Sequence, residues 1–130
     1  MLSRLVNPTD MDRRLAGVLL AILAIALLWA GLQPRLAPPS AYGIDKILHA
    51  GAFGFLAVLG TIALRHKLAP FLSMAGIAVV GALLEVAQGQ VKGRVGSLED
   101  WVADAVGIVL SVAAFQALRA HARRRLPAAA

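Results

Sequence analysis

Residues 15–32 read LAGVLLAILAIALLWAGL, and no side chain from Leu15 to Leu32 is charged. Wound as an α-helix at about 1.5 Å per residue, such a run is roughly 27 Å long, enough to cross a hydrocarbon core. Working outward, Arg4, Arg13 and Arg14 precede the run, and Pro8-Thr9-Asp10 supplies a helix start. Asp10 and Asp12 then fall near the positive end of the helix dipole. A basic segment before an apolar run also fits a secretory signal peptide. The apolar core of such a peptide is usually about 7–15 residues, shorter than this run, so a retained first span is predicted.

The composition agrees. Hydrophobic residues make up 59% of the 130 and the mean hydropathy is +0.75. Soluble domains run at about 45–50% apolar, so this balance predicts a membrane protein. Cysteine is absent, which excludes disulfides, thiolate metal sites and thiol catalysis. The net charge of +6 could serve nucleic acid. Yet the basic residues lie between apolar runs rather than in a stripe interleaved with aromatics, and no nucleic-acid partner is expected.

Downstream, Gln33 to Ser40 holds Pro34, Pro38 and Pro39, predicting a helix stop and a short extended connection. A second apolar run, Ile47 to Leu64, is closed by the basic turn Arg65-His66-Lys67, and Pro70 sits where a first helical turn tolerates proline. A third run, Phe71 to Gln90, is interrupted only by Ser73, Glu85, Gln88 and Gln90. After the loop Lys92-Gly93-Arg94-Val95-Gly96, Ser97-Leu98-Glu99-Asp100 opens a fourth run that continues to Leu118. Arg119 and Arg123-Arg124-Arg125 begin a basic tail, with Pro127 to Ala130 expected to be disordered. The predicted fold is all-α: a polytopic four-transmembrane-helix bundle with spans at about 15–32, 46–64, 70–90 and 99–118. A segment 1–14 precedes it and a tail 119–130 follows.

Sidedness follows from lysine and arginine. Arg4, Arg13, Arg14, Arg65, Lys67, Arg119 and Arg123 to Arg125 fall at one side, against Arg35, Lys46, Lys92 and Arg94 at the other. The positive-inside rule therefore predicts a plasma-membrane protein with both termini cytoplasmic.

Outside the N-terminal segment the acids are Asp45, Glu85, Glu99, Asp100 and Asp104, all mapping to the outer half. Asp45 and His49 are four apart and share a helix face, as do Asp100 and Asp104; Glu85 and Gln88 are three apart and share another. His49, Glu85 and Asp104 lie at similar depth. Their stripes continue through Ala52 and Leu56; Gly81, Ala78 and Met74; and Gly107 and Ser111. Small residues let membrane helices approach, so these faces are predicted to meet.

Simpler readings exist. Ser97 to Asp100 matches a capping box, Asp45 could serve only the dipole of the second span, and Lys46 and Arg94 could snorkel to the interface. Phe53 reads as packing, and His66 and His121 as solvated. Capping does not reach His49, Glu85 or Asp104, which leaves a functional site or an interhelical hydrogen-bond clasp. Ionisable groups at this depth default to the former.

Together, Asp45-Lys46-x-x-His49-x-x-x-Phe53, Glu85-x-x-Gln88, Arg94-x-x-Ser97-x-x-Asp100 and Asp100-x-x-x-Asp104-x-x-Gly107 resemble the VanZ-like family of small bacterial membrane proteins. The resemblance covers the second to fourth spans. It implies a multi-pass membrane protein linked, through the family's founding member, to resistance to the glycopeptide teicoplanin, with no settled reaction. The family has asparagine where this chain has Asp104. Either Asp104 is protonated, or Arg94 or Lys46 pairs with it.

Two functions follow as expectations. In the first, an outward polar notch binds or remodels an envelope amphiphile: a lipid head group, a lipid-linked precursor or a lipoglycopeptide. Lys46, Lys92 and Arg94 would hold phosphate, and Asp45, His49, Glu85, Gln88, Ser97 and Asp104 would contact other polar groups. In the second, a membrane hydrolase or transferase uses His49 as base or nucleophile, oriented by Asp45 or Glu85, with Asp100 as acid. No cofactor is expected. A metal on His49, Glu85 and Asp100 is conceivable, but no known ligand spacing supports one. A transporter subunit of four spans would need to oligomerise.

Overall fold

A reciprocal cap starts the first span. Thr9 Oγ1 accepts the Asp12 N–H at 3.2 Å, and the Asp12 carboxylate accepts the Thr9 N–H at 2.9 Å, so two backbone groups at the helix start find partners. In the structure, a computed structural model that describes residues 2–36 and 43–126, the helices are α1 (Leu2–Val6), α2 (Asp10–Gly31), α3 (Ile44–Ala63), α4 (Ala69–Gln88) and α5 (Leu98–Arg125). Helices α2 to α5 are each long and apolar enough to cross a membrane, which is the expected all-α, four-span class.

One connection differs from expectation, and one helix outruns its apolar stretch. Pro34–Leu36 form a 3-10 turn, not an extended segment; the rest of that linker, with Pro38 and Pro39, lies outside the described residues, as does Pro127 to Ala130. The helix of the fourth run continues past the end of that run at Leu118. Helix α5 continues through the arginines to Arg125, making it about 42 Å long, well beyond a hydrocarbon core of about 30 Å. Cations in the final turn of a helix are favoured by its negative end, so the basic run extends the helix.

Helix α3 is the hub, packed against each of the other three spans. Its Phe53, Leu56 and Ala57 are buried with Ile77 and Leu84 of α4 and Ile108 and Val112 of α5. Leu20, Ala24, Leu27 and Leu28 of α2 close the same core from the side. By contrast, Leu15, Val18, Leu19, Ile22, Ile25 and Trp29 of α2 face outward, a surface suited to lipid rather than water. Lipid supplies no hydrophobic force between helices, so close packing must hold them together. The α3–α5 contact shows how. A Cβ on Gly107 would overlap the Ala50 carbonyl, and one on Gly54 would overlap the Ser111 hydroxyl. On the α4 side, Ser73 Oγ donates to the Ala57 carbonyl at 2.7 Å, in the space that Gly60 leaves open.

Each end of the bundle is tied by arginine. At the end that carries α1, Arg13 Nη1 donates to the Ile62 and Leu64 carbonyls at 3.2 and 2.8 Å, capping α3. There too Arg65 pairs with Asp10, and Arg119 Nη2 donates to the Val6 carbonyl at 2.8 Å. At the opposite end Arg94 Nε donates to the Gly31 carbonyl at 2.7 Å and Nη2 to the Ala30 carbonyl at 3.3 Å. Gln88 Nε2 joins it on Gly31 at 2.9 Å. The orphan carbonyls that end α2 and α3 are thus satisfied by neighbouring elements. The polar cluster lies at the Arg94 end.

Candidate functional site

Helix α3 begins at Gly43, whose φ of 70° suits glycine, and no side chain caps the α3 N-terminus. Asp45 enters the first turn, where its charge suits the positive end of the helix dipole. One turn on, His49 stacks on the Phe53 ring with centroids 6.1 Å apart. Phe53 is fully buried, so it fixes the plane of the imidazole. That ring then meets Asp104 of α5, with Nδ1 3.1 Å from Oδ1. Asp104 is fully buried, and its Oδ2 lies where a Cβ on Gly81 would come within 3.0 Å. The glycine in α4 is what makes room for the carboxylate.

Glu85 of α4 completes the layer. Its Oε2 accepts the Ser97 N–H at 2.7 Å, while Oε1 lies 3.9 Å from His49 Nδ1. The sequence pattern of a capping box is thus only half used. Ser97 Oγ does accept the Asp100 N–H at 3.3 Å, but the amide at the start of α5 turns to a carboxylate from α4. This requires the loop to fold back tightly over α4, and Gly96 permits it, since a Cβ there would overlap the Glu85 carbonyl.

The basic residues are committed elsewhere. Lys46 Nζ lies 2.9 Å from Asp100 Oδ1, 3.2 Å from Glu99 Oε2 and 3.9 Å from Asp45 Oδ2. Arg94 caps α2. Neither snorkels freely, and neither reaches Asp104. Pairing of Asp104 with Arg94 or Lys46, one of the two alternatives expected for it, is corrected to a contact with His49, because α3 and α5 approach so closely at Gly107. For the same reason the group that orients His49 is Asp104 rather than Asp45 or Glu85. Asp100 is held by Lys46, with no direct hydrogen bond to His49.

A cavity of about 130 Å³ opens beside this layer, lined by Asp45, His49, Gln88, Gly93, Arg94, Val95 and Asp100. It presents the Asp45 and Asp100 carboxylates, and Asp45 Oδ1 is buried with no hydrogen-bond donor among the described residues. On the other side of Glu85, a groove of about 610 Å³ runs between α4 and α5. Ala82, Val86, Leu98 and Trp101 give it apolar walls, and Gln90 and Ser97 lie at its polar end. Lys46 and Asp104 line neither space, and Lys92 is exposed on the loop. Trp101, missed in the sequence, donates its indole N–H to the Ala78 carbonyl at 3.1 Å and pins α5 to α4. An aromatic one residue past two acids gives no periodic signal for such a bond.

No protein-family profile matches the chain, and no curated protein or solved structure matches it either.

Proposed function

We propose that this chain is a VanZ-like protein of the bacterial plasma membrane that receives the polar head of a cell-envelope amphiphile in the notch between α3, α5 and the loop after α4. The observation that carries this reading is the Asp45 carboxylate, which lines a small polar cavity and keeps a buried oxygen without a donor among the described residues. A buried acceptor of this kind is unfavourable unless a donor reaches it. The adjoining α4–α5 groove offers apolar walls to an acyl or prenyl chain, with a polar end at Ser97 and Gln90.

This alters the expected chemistry. Phosphate recognition through Lys46 and Arg94 loses weight, because both cations already hold protein oxygens. Amine and hydroxyl donors of a head group, an amino sugar or a lipoglycopeptide suit the free acceptors better. Binding of that kind is the route by which the protein would bear on teicoplanin-type resistance. Arginine bias supports placing the α1 end in the cytoplasm and the notch at the outer face. A second reading, hydrolysis or group transfer at the notch, is favoured by the His49–Asp104 hydrogen bond, which holds an imidazole in one orientation beside the cavity.

The test is binding by protein in nanodiscs to phosphatidylethanolamine, a polyprenyl-linked muropeptide and a lipoglycopeptide. At least one should bind, and Asp45→Asn should weaken it about tenfold or more without lowering thermal stability. No binding to any of the three, or equal binding by the variant, would count against the proposal.

A further inference from the structure

Two carboxylates and one imidazole face one another across three membrane-spanning helices. His49, Glu85 and Asp104 each offer one ligand atom, and these atoms lie within 4.8 Å of one another. The residues are well held from behind. Glu85 is fixed through Oε2 by the Ser97 amide, His49 by the Phe53 ring, and Asp104 by its fit against Gly81. Outer contacts of this kind orient metal ligands.

Apart from the His49 imidazole, no cation among the described residues reaches the layer. Lys46 is drawn off to Asp100 and Glu99, and Arg94 to the end of α2. Glu85 Oε1 and Asp104 Oδ2 are buried with no hydrogen-bond donor among the described residues, although Glu85 is only 8% exposed and Asp104 0%. Buried carboxylates need a compensating charge or full hydrogen bonding. Tetrahedral bonds of about 2.0–2.2 Å to one ion set its ligand atoms roughly 3.3–3.6 Å apart. The His49 Nδ1 distances of 3.1 Å to Asp104 and 3.9 Å to Glu85 come within a small side-chain rotation of that.

We propose that His49, Glu85 and Asp104 form a binding site for one divalent transition-metal ion, with zinc fitting the donor set best. One imidazole nitrogen with two carboxylate oxygens suits zinc and its first-row neighbours, whereas magnesium and calcium take oxygen ligands. The site is new relative to the sequence reading, where Asp100 stood in the third position. The ligands come singly from α3, α4 and α5, so no local spacing announces them. Because His49 also lines the notch, a coordination position not filled by protein would face the cavity, the arrangement of zinc sites that act on a bound water or ligand. The proposal does not depend on what the notch binds.

The experiment uses full-length protein carrying no histidine tag, purified without chelator, for elemental analysis. It is then stripped with chelator and titrated calorimetrically with Zn²⁺, Mn²⁺, Mg²⁺ and Ca²⁺. The expected result is about one equivalent of a transition metal, and 1:1 rebinding of Zn²⁺ but not Mg²⁺ or Ca²⁺. Glu85→Gln and Asp104→Asn keep side-chain shape and should weaken that binding about 10–100-fold. His49→Ala should do the same, and Asp10→Asn, at the opposite end of the bundle, should leave it unchanged. Stripping and reloading wild type needs no variant, so a misfolded mutant does not rescue the idea. Absence of metal with no heat on titration, or equal Zn²⁺ binding by all the variants, would overturn it.

Discussion

Replacing Arg94 with alanine separates two roles that its position allows. At the end of α2, Arg94 Nε donates to the Gly31 carbonyl at 2.7 Å and Nη2 to the Ala30 carbonyl at 3.3 Å. Hydrogen bonds from a charged donor contribute about 1.5–3 kcal/mol each, with the longer one worth less. Gln88 Nε2 remains on Gly31 at 2.9 Å, so that carbonyl is not orphaned and the lower part of the range applies. Arg94→Ala should therefore destabilise the fold by about 2 kcal/mol, which for a chain of this size lowers the melting temperature by roughly 5–10 °C. The assay is an apparent Tm in detergent, read by tryptophan fluorescence. Lys92→Ala, two residues away on the exposed loop, should shift it by less than about 2 °C. Adding Gln88→Ala to Arg94→Ala should cost more than the two single losses together, because only then does Gly31 lose both donors. An Arg94→Ala protein that melts with wild type would refute the capping role and return Arg94 to the list of ligand contacts.

Other outcomes follow from the same geometry. Glu85→Ala removes the acceptor for the Ser97 amide and should destabilise by about 1–3 kcal/mol, whereas Glu85→Gln keeps an acceptor and should retain most of the stability in the same melting assay. Gly107→Val sets a branched side chain against the Ala50 carbonyl and should separate α3 from α5; its membrane level by blot should fall severely. Gly76→Ala, at a position with open space around it, should accumulate as wild type does.

How far the sequence carried depended on range. The spans were legible because a charge-free run of the right length has few alternatives, as at Leu15 to Leu32. The polar layer was legible because helical spacing puts Asp45 with His49 and Asp100 with Asp104, and depth then aligns them with Glu85. Pairing within the layer was not. Which cation meets Asp104 depends on how closely α3 and α5 approach, and Gly54 and Gly107 set that distance across more than fifty residues of chain. The capping of α2 by Arg94 escaped notice for a related reason. A single arginine in a glycine-containing loop reads as an interfacial anchor until the end of another helix is placed beside it. The full length of α5 was not legible, because a run of arginines ends a hydrophobic stretch without ending a helix.

The outward reading of the notch can be tested directly, because the chain contains no cysteine and any introduced thiol reports alone. Val95 lines the notch and is 84% exposed, and Lys67 lies at the opposite end beside Arg65 and Arg123. In intact cells a membrane-impermeant maleimide should label Val95→Cys, and it should label Lys67→Cys only after the membrane is opened. Labelling of Lys67→Cys in intact cells with protection of Val95→Cys would turn the notch to the cytoplasm and contradict the account.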